Sequence, residues 1–123
     1  MGKKIVLADD EKFIAIAYKD GLTRAGYTVV VAQDGEEALV KIKAEMPDLI
    51  LLDLIMPKMT GFEVLKAVKA NPTLQNIPVM ILSNLSQTTD ATEAKQLGAD
   101  EFLVKSNHSL KELIDEYIAP RLG

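Results

Sequence analysis

Five short apolar runs punctuate the chain: Ile5–Ala8, Val29–Ala32, Leu49–Leu52, Val79–Leu82 and Phe102–Val104. None alternates with polar residues. Each therefore predicts a strand covered on both faces, as in a parallel sheet between helical layers. Segments of helical spacing fill the gaps. The first carries Ile14, Tyr18, Leu22 and Ala25 along one face, with Asp10 placed to cap its start and Gly26 to close it. Asp34 with Glu37, Thr60 with Glu63, Asp90 with Glu93 and Ser109 with Glu112 have capping-box spacing. The last helix shows a full apolar stripe of Leu110, Leu113, Ile114, Tyr117 and Ile118. The fourth, from Ser86 to Leu97, offers only Ala91, Ala94 and Leu97, and sparse packing predicts low local stability. Strand and helix alternate throughout, so residues 1–123 read as one open α/β domain. Right-handed crossovers place helices on both faces of its sheet.

Length and composition agree with one globular domain: 123 residues, 48% apolar and 26% charged. The chain has no cysteine, which excludes a disulfide scaffold, a thiolate zinc site and a cysteine nucleophile. A net charge of −4 and the lack of a basic run argue against direct binding to nucleic acid or anionic lipid. Asp53 interrupts the longest apolar stretch, well short of the roughly 18 residues of a membrane span. The start, Met1-Gly2-Lys3-Lys4, has no signal-peptide pattern, so the expectation is a soluble cytoplasmic protein.

Ligands of open parallel sheets bind beyond the carboxyl ends of the strands. Those ends carry Asp9-Asp10-Glu11, Gln33-Asp34, Asp53, Ser83 and Lys105. Singly, each has a bland explanation: a helix cap, a loop acid, a structural serine, a solvated lysine. Together, three acids, a hydroxyl and an ammonium on one rim are a sharper observation. Two carboxylates about 4 Å apart repel by roughly 4 kcal/mol at an effective dielectric of 20, so the acids call for a cation. Lys105 supplies one charge. Hard oxygen ligands with room for water suit Mg²⁺. His108 is the only histidine, and the polar stretch Ser106-Asn107-His108-Ser109 places it on the surface.

These residues carry a resemblance to the receiver domains of two-component response regulators, over the whole chain. The strongest motif is Asp53-Leu54-Ile55-Met56-Pro57-Lys58-Met59-Thr60-Gly61, followed by Glu63. Asp10 lies 43 residues before Asp53, Ser83 lies 30 after it, and Lys105 another 22 beyond. The resemblance implies a flavodoxin-like (βα)5 three-layer sandwich with strand order 2-1-3-4-5. It implies that Asp53 accepts a phosphoryl group from a phosphohistidine donor, giving an aspartyl phosphate. Asp10 and Asp53, Asp9 through water, and the backbone carbonyl of Ile55 would hold Mg²⁺. Lys105 would pair with Asp53 at rest and with a phosphoryl oxygen afterwards. Ser83 would turn its hydroxyl toward that group, and Phe102 matches the aromatic switch position.

The implied output surface is the fourth helix, fifth strand and fifth helix. Implied partners are a sensor histidine kinase or histidine phosphotransfer protein and an unidentified downstream protein. The chain itself would be a monomer or a phosphorylation-dependent dimer, and no enzyme beyond its own phosphoryl transfer and dephosphorylation. The alternatives are a receiver-like interaction module that works without phosphorylation, an aspartate-nucleophile phosphatase and a flavin carrier. The phosphatase lacks a second acid two residues after Asp53, where Ile55 stands. For the flavin carrier, Asp9-Asp10-Glu11 would repel the cofactor's phosphate.

Three departures from the family's pattern change expectations. Ser106 stands where the family usually has proline, so the Lys105–Ser106 peptide is expected to be trans. Asn84 replaces a small residue after Ser83 and would narrow the cleft or add a hydrogen bond. Ile55 and Leu85 are apolar where the attacking water passes, which predicts slow hydrolysis of the phosphoryl group.

Overall fold

A computed structural model describes residues 2–84 and 88–122. All five apolar runs are strands: β1 (Lys4–Ala8), β2 (Thr28–Ala32), β3 (Leu49–Asp53), β4 (Val79–Ser83) and β5 (Glu101–Val104). They pair in parallel in the order β2-β1-β3-β4-β5. Burial without alternation is clearest in β3 and β4, where all five residues of each strand are buried.

The pleat sorts those residues between two cores. Val6, Ala8, Ile50, Leu52, Val79 and Ile81 face one layer, where they meet Ala38 and Ile42 of α2 (Gly35–Glu45), Val64, Leu65 and Val68 of α3 (Gly61–Ala70), and Ala94 of α4 (Thr88–Gln96). Ile5, Leu7, Leu49, Leu51, Met80, Leu82 and Leu103 face the other. There they pack on Leu22 of α1 (Lys12–Arg24) and on Leu113 and Ile118 of the last helix. That helix, α5, begins as Leu110–Glu112, widens through Leu113–Ile118 and ends as Ala119–Leu122. In the wide stretch the Ala119 N–H donates to the Ile114 carbonyl, five residues back. Pro120 follows directly; it has no N–H to continue the ladder, and its ring crowds the carbonyl one turn earlier.

Helix ends follow the sequence in most places. Thr60 with Glu63 and Ser109 with Glu112 form complete capping boxes. The Asp34 box is half formed: its carboxylate accepts from the Glu37 N–H, while Glu37 turns to the Gln33 N–H. Gly26, at φ 104°, closes α1; its N–H bonds to Thr23 and that of Tyr27 to Leu22. Leu22 and Tyr27 are both buried beside this stop.

Other expectations give way. Asp10 does not cap α1: the helix starts at Lys12, Glu11 occupies the cap position, and no side chain caps it. Asp9 has taken over the local turn, accepting the Glu11 N–H at 2.9 Å, and Asp10 is left exposed. Ala15, not Ala25, completes the buried face of α1. Asp90 is no cap either. The helix α4 starts at Thr88, which makes Asp90 a first-turn acid facing the positive end of the helix dipole. Ser86, the expected start of that helix, lies outside the described residues. No cis peptide bond occurs among the described residues, so Lys105–Ser106 is trans as expected.

Candidate functional site

Strand register assembles the rim. Ala8 pairs with Leu52 and Asp53 with Leu82, so Asp9 leaves β1 at the level where Asp53 ends β3. Ser83 pairs with Val104, which puts Lys105 one step beyond it. Gly61 lets α3 start against this edge: a Cβ there would fall 2.5 Å from the Asp53 carbonyl oxygen. The backbone between is a tight loop, with Lys58 at φ 70° and the Gly61 N–H donating to the Leu54 carbonyl at 2.8 Å.

Asp9, Asp10 and Asp53 each bring a carboxylate oxygen within 4.8 Å of the others. Asp9 is 2% exposed, Asp53 7% and Ser83 1%; Asp10 reaches solvent. The Lys105 ammonium lies 2.8 Å from Asp9 and 3.6 Å from Asp53. The expected pair with Asp53 is present, and Asp9 is a second and shorter partner that the sequence alone does not name. Both carboxylates are nearly sealed from water, and the shared ammonium partners both.

Burial pushes the Asp53 carboxyl up to about 6. Lys105 and the Leu54 N–H oppose that shift, and Asp9 and Asp10 add to it. Burial pulls the Lys105 ammonium down, but the hydrogen bond to Asp9 and the charges of Asp53 and Asp9 outweigh it, leaving a raised value. Asp10, Glu11, Asp53, Ile55, Ser83 and Asn84 line an open cavity of ≈ 300 Å³. A carboxylate set with no sulfur or imidazole, partly open to water, has the chemistry of a hard divalent cation site.

The remaining expected residues fall as follows. Phe102 is half-buried, opposite Ile81 in the sheet, and packs on the core beneath α2, α3 and α4. The Ile55 side chain is 61% exposed at the mouth of the cavity. Leu85 lies outside the described residues. Asn84 adds a hydrogen bond, donating to the Glu11 carboxylate at 3.2 Å and so joining two loops across the cavity. The hydrogen bond is one of the two outcomes the sequence allows for Asn84; its partner, 73 positions away, is not legible there. Tyr18, assigned only to the helix core, also reaches the rim's electrostatic field. Burial raises its phenol above the usual value, Lys105 lowers it, and Asp9 and Asp53 raise it further.

A doubly wound sheet whose strand ends present clustered acids and a buried lysine defines a class: α/β domains that handle phosphoryl groups at the carboxyl edge. Comparison with known proteins makes the family explicit. The model of the response regulator receiver domain matches residues 5–117, and the chain belongs to that family. The chain is 40% identical over 105 residues to the alkaline phosphatase synthesis transcriptional regulatory protein PhoP of Bacillus subtilis, covering 85% of this chain and 43% of that one. It spans less than half the length of the curated relatives it matches. The chemotaxis protein CheY4 of Vibrio cholerae superposes with a TM-score of 0.90 at 33% identity, over 99% of this chain and 100% of that chain. The response regulator Rcp1, solved in a Mn²⁺-bound form, superposes with a TM-score of 0.84 at 27% identity, over 94% of each chain. The fold is therefore the flavodoxin-like receiver fold, and the role is phosphoacceptor signalling in a two-component system. Among the described residues no helix is long and apolar enough to cross a membrane.

Proposed function

We propose that Asp53 is the phosphoacceptor of this receiver. The observation that carries the assignment is a carboxylate 7% exposed that lines an open cavity, 3.6 Å from a lysine ammonium and beside two further acids. An Asp53 oxygen bonds to phosphorus as the phosphorus–nitrogen bond of a phosphohistidine breaks, and the bonding pair leaves with the imidazole nitrogen. Asp9, Asp10 and Asp53, with the Ile55 carbonyl, would hold Mg²⁺, which when bound supplies the positive charge that lets one anion approach another. Lys105 already sits between Asp9 and Asp53 and meets a phosphoryl oxygen by a small movement of its end. Ser83, at the end of β4, turns its hydroxyl toward the new group, and Phe102 follows on β5.

The donor is a sensor histidine kinase or a phosphotransfer protein. Phe13 (86% exposed) and Ile16 (56%) on α1, the helix that follows Glu11 of the cavity wall, support an apolar docking surface for it. The α4–β5–α5 surface then controls a downstream protein, in the cytoplasm. Ile55 offers no polar atom to orient water, which supports slow loss of the phosphoryl group.

Acetyl phosphate with Mg²⁺ tests this. Whole-protein mass spectrometry is expected to show one added phosphoryl group, absent without Mg²⁺ and absent in Asp53→Asn. The added group is expected to decay faster in Ile55→Asn. Unchanged labelling of Asp53→Asn would refute the assignment, and equal decay would remove the role given to Ile55.

A further inference from the structure

We propose that His108, Glu112 and Glu116 form a second cation site, on the outside of α5, for a first-row divalent ion of the zinc type. It is separate from the strand-end acids and independent of them. His108 does not sit as a free surface side chain. It is half-buried, stands edge-on to Tyr117 with ring centroids 5.4 Å apart and planes at 80°, and its Nδ1 is buried without a hydrogen-bond partner. A buried nitrogen of this kind lacks the partner that such groups nearly always have.

The imidazole and the two carboxylates each offer a ligand atom, all within 4.8 Å of one another. Metal–ligand bonds of about 2.0–2.2 Å place two ligands of one ion up to roughly 4 Å apart, so small side-chain rotations close the set. Glu112 uses one oxygen on the Ser109 N–H of its capping box and keeps the other. Neither Glu112 nor Glu116 has an ion pair among the described residues, although the like charges at this spacing repel. The neighbouring Lys111 is already committed to Asp115 at 2.8 Å.

Backbone winding contributes to the alignment. In an α-helix a residue four positions on lies about 40° round the axis. The five-residue hydrogen bonding of Leu113–Ile118 turns less per residue, which brings Glu116 back over Glu112. One imidazole with two carboxylates favours a borderline ion such as zinc over Mg²⁺, whose preference is oxygen alone. Water completes the coordination. An ion here would clamp His108, three residues after Lys105, to the start of α5.

The chain's single histidine makes the test selective. Zinc is titrated into the full chain in excess Mg²⁺ while the imidazole proton resonances are followed by NMR. The expected result is a saturable change at one equivalent, with affinity about tenfold or more weaker in Glu116→Gln. In chelator, Glu116→Gln is expected to melt at the same temperature as the parent, which shows that folding is intact. Imidazole resonances that do not respond to zinc would overturn the proposal. So would equal affinity in Glu116→Gln, which would mean that histidine binds alone.

Discussion

Asp9, Asp10 and Asp53 at the strand ends, and His108, Glu112 and Glu116 along α5, each gather three ligand atoms within 4.8 Å. Their surroundings differ. In the first group two carboxylates are nearly sealed from water and share a lysine whose own side chain is 7% exposed. In the second, both glutamates are exposed and no lysine or arginine compensates them among the described residues. Similar crowding therefore has different energetic weight. Where water is excluded, charge is expensive and any change in it alters the balance of the fold; where water enters, repulsion is screened. In the function proposed for it, the strand-end group converts a chemical event into a conformational one, while the outer group, as proposed, binds or releases an ion.

Lys105→Met should show the largest effect. Removing the ammonium leaves buried carboxylates without a partner, a change that costs about 3 kcal/mol or more in comparable pairs. Urea unfolding at pH 7 checks this, and the loss is expected to shrink toward pH 5 as Asp53 takes up a proton. A loss under 1 kcal/mol would erase the contrast between the two groups.

Asp53→Asn should act in the opposite direction. The folded-state value of about 6 lies above the ordinary 3.8, so the ionised carboxylate opposes folding. That penalty is absent below about pH 4, grows between about 4 and 6, and is complete above about 6. The amide should therefore stabilise the protein at pH 7 by up to about 3 kcal/mol, a figure in which the attraction to Lys105 is already included. The gain should fade as pH drops to 4. A gain that is constant with pH would sharpen the comparison differently, by assigning the effect to packing.

Much of this was legible in sequence, for reasons that differ by residue. Strands β1, β3 and β4 announced themselves as unbroken apolar runs because a parallel sheet is covered on both sides. Once the strands were placed, Asp9, Asp53, Ser83 and Lys105 had to meet, since parallel strands all end on the same edge. Other features depend on distances that the pattern does not encode. The position of Asp10 allows it to cap α1, but Asp9 accepts the Glu11 N–H instead. Lys105 pairs with Asp53 as the spacing implies, but its shorter contact, with Asp9, depends on side-chain distances that the pattern does not carry. His108 lies in a polar stretch, yet its ring is half-buried edge-on to Tyr117, a contact the polar pattern does not carry.

The central claim is that the buried strand-end carboxylate of Asp53, and no other acid of the rim, receives the phosphoryl group. Borohydride reduction of the phosphorylated chain converts an acyl phosphate to an alcohol and so marks the acceptor permanently as homoserine. Peptide sequencing by mass spectrometry is then predicted to find homoserine at position 53 alone. Homoserine at position 9 or 10 with aspartate intact at 53, or none at all in a chain carrying the phosphoryl mass, would contradict it.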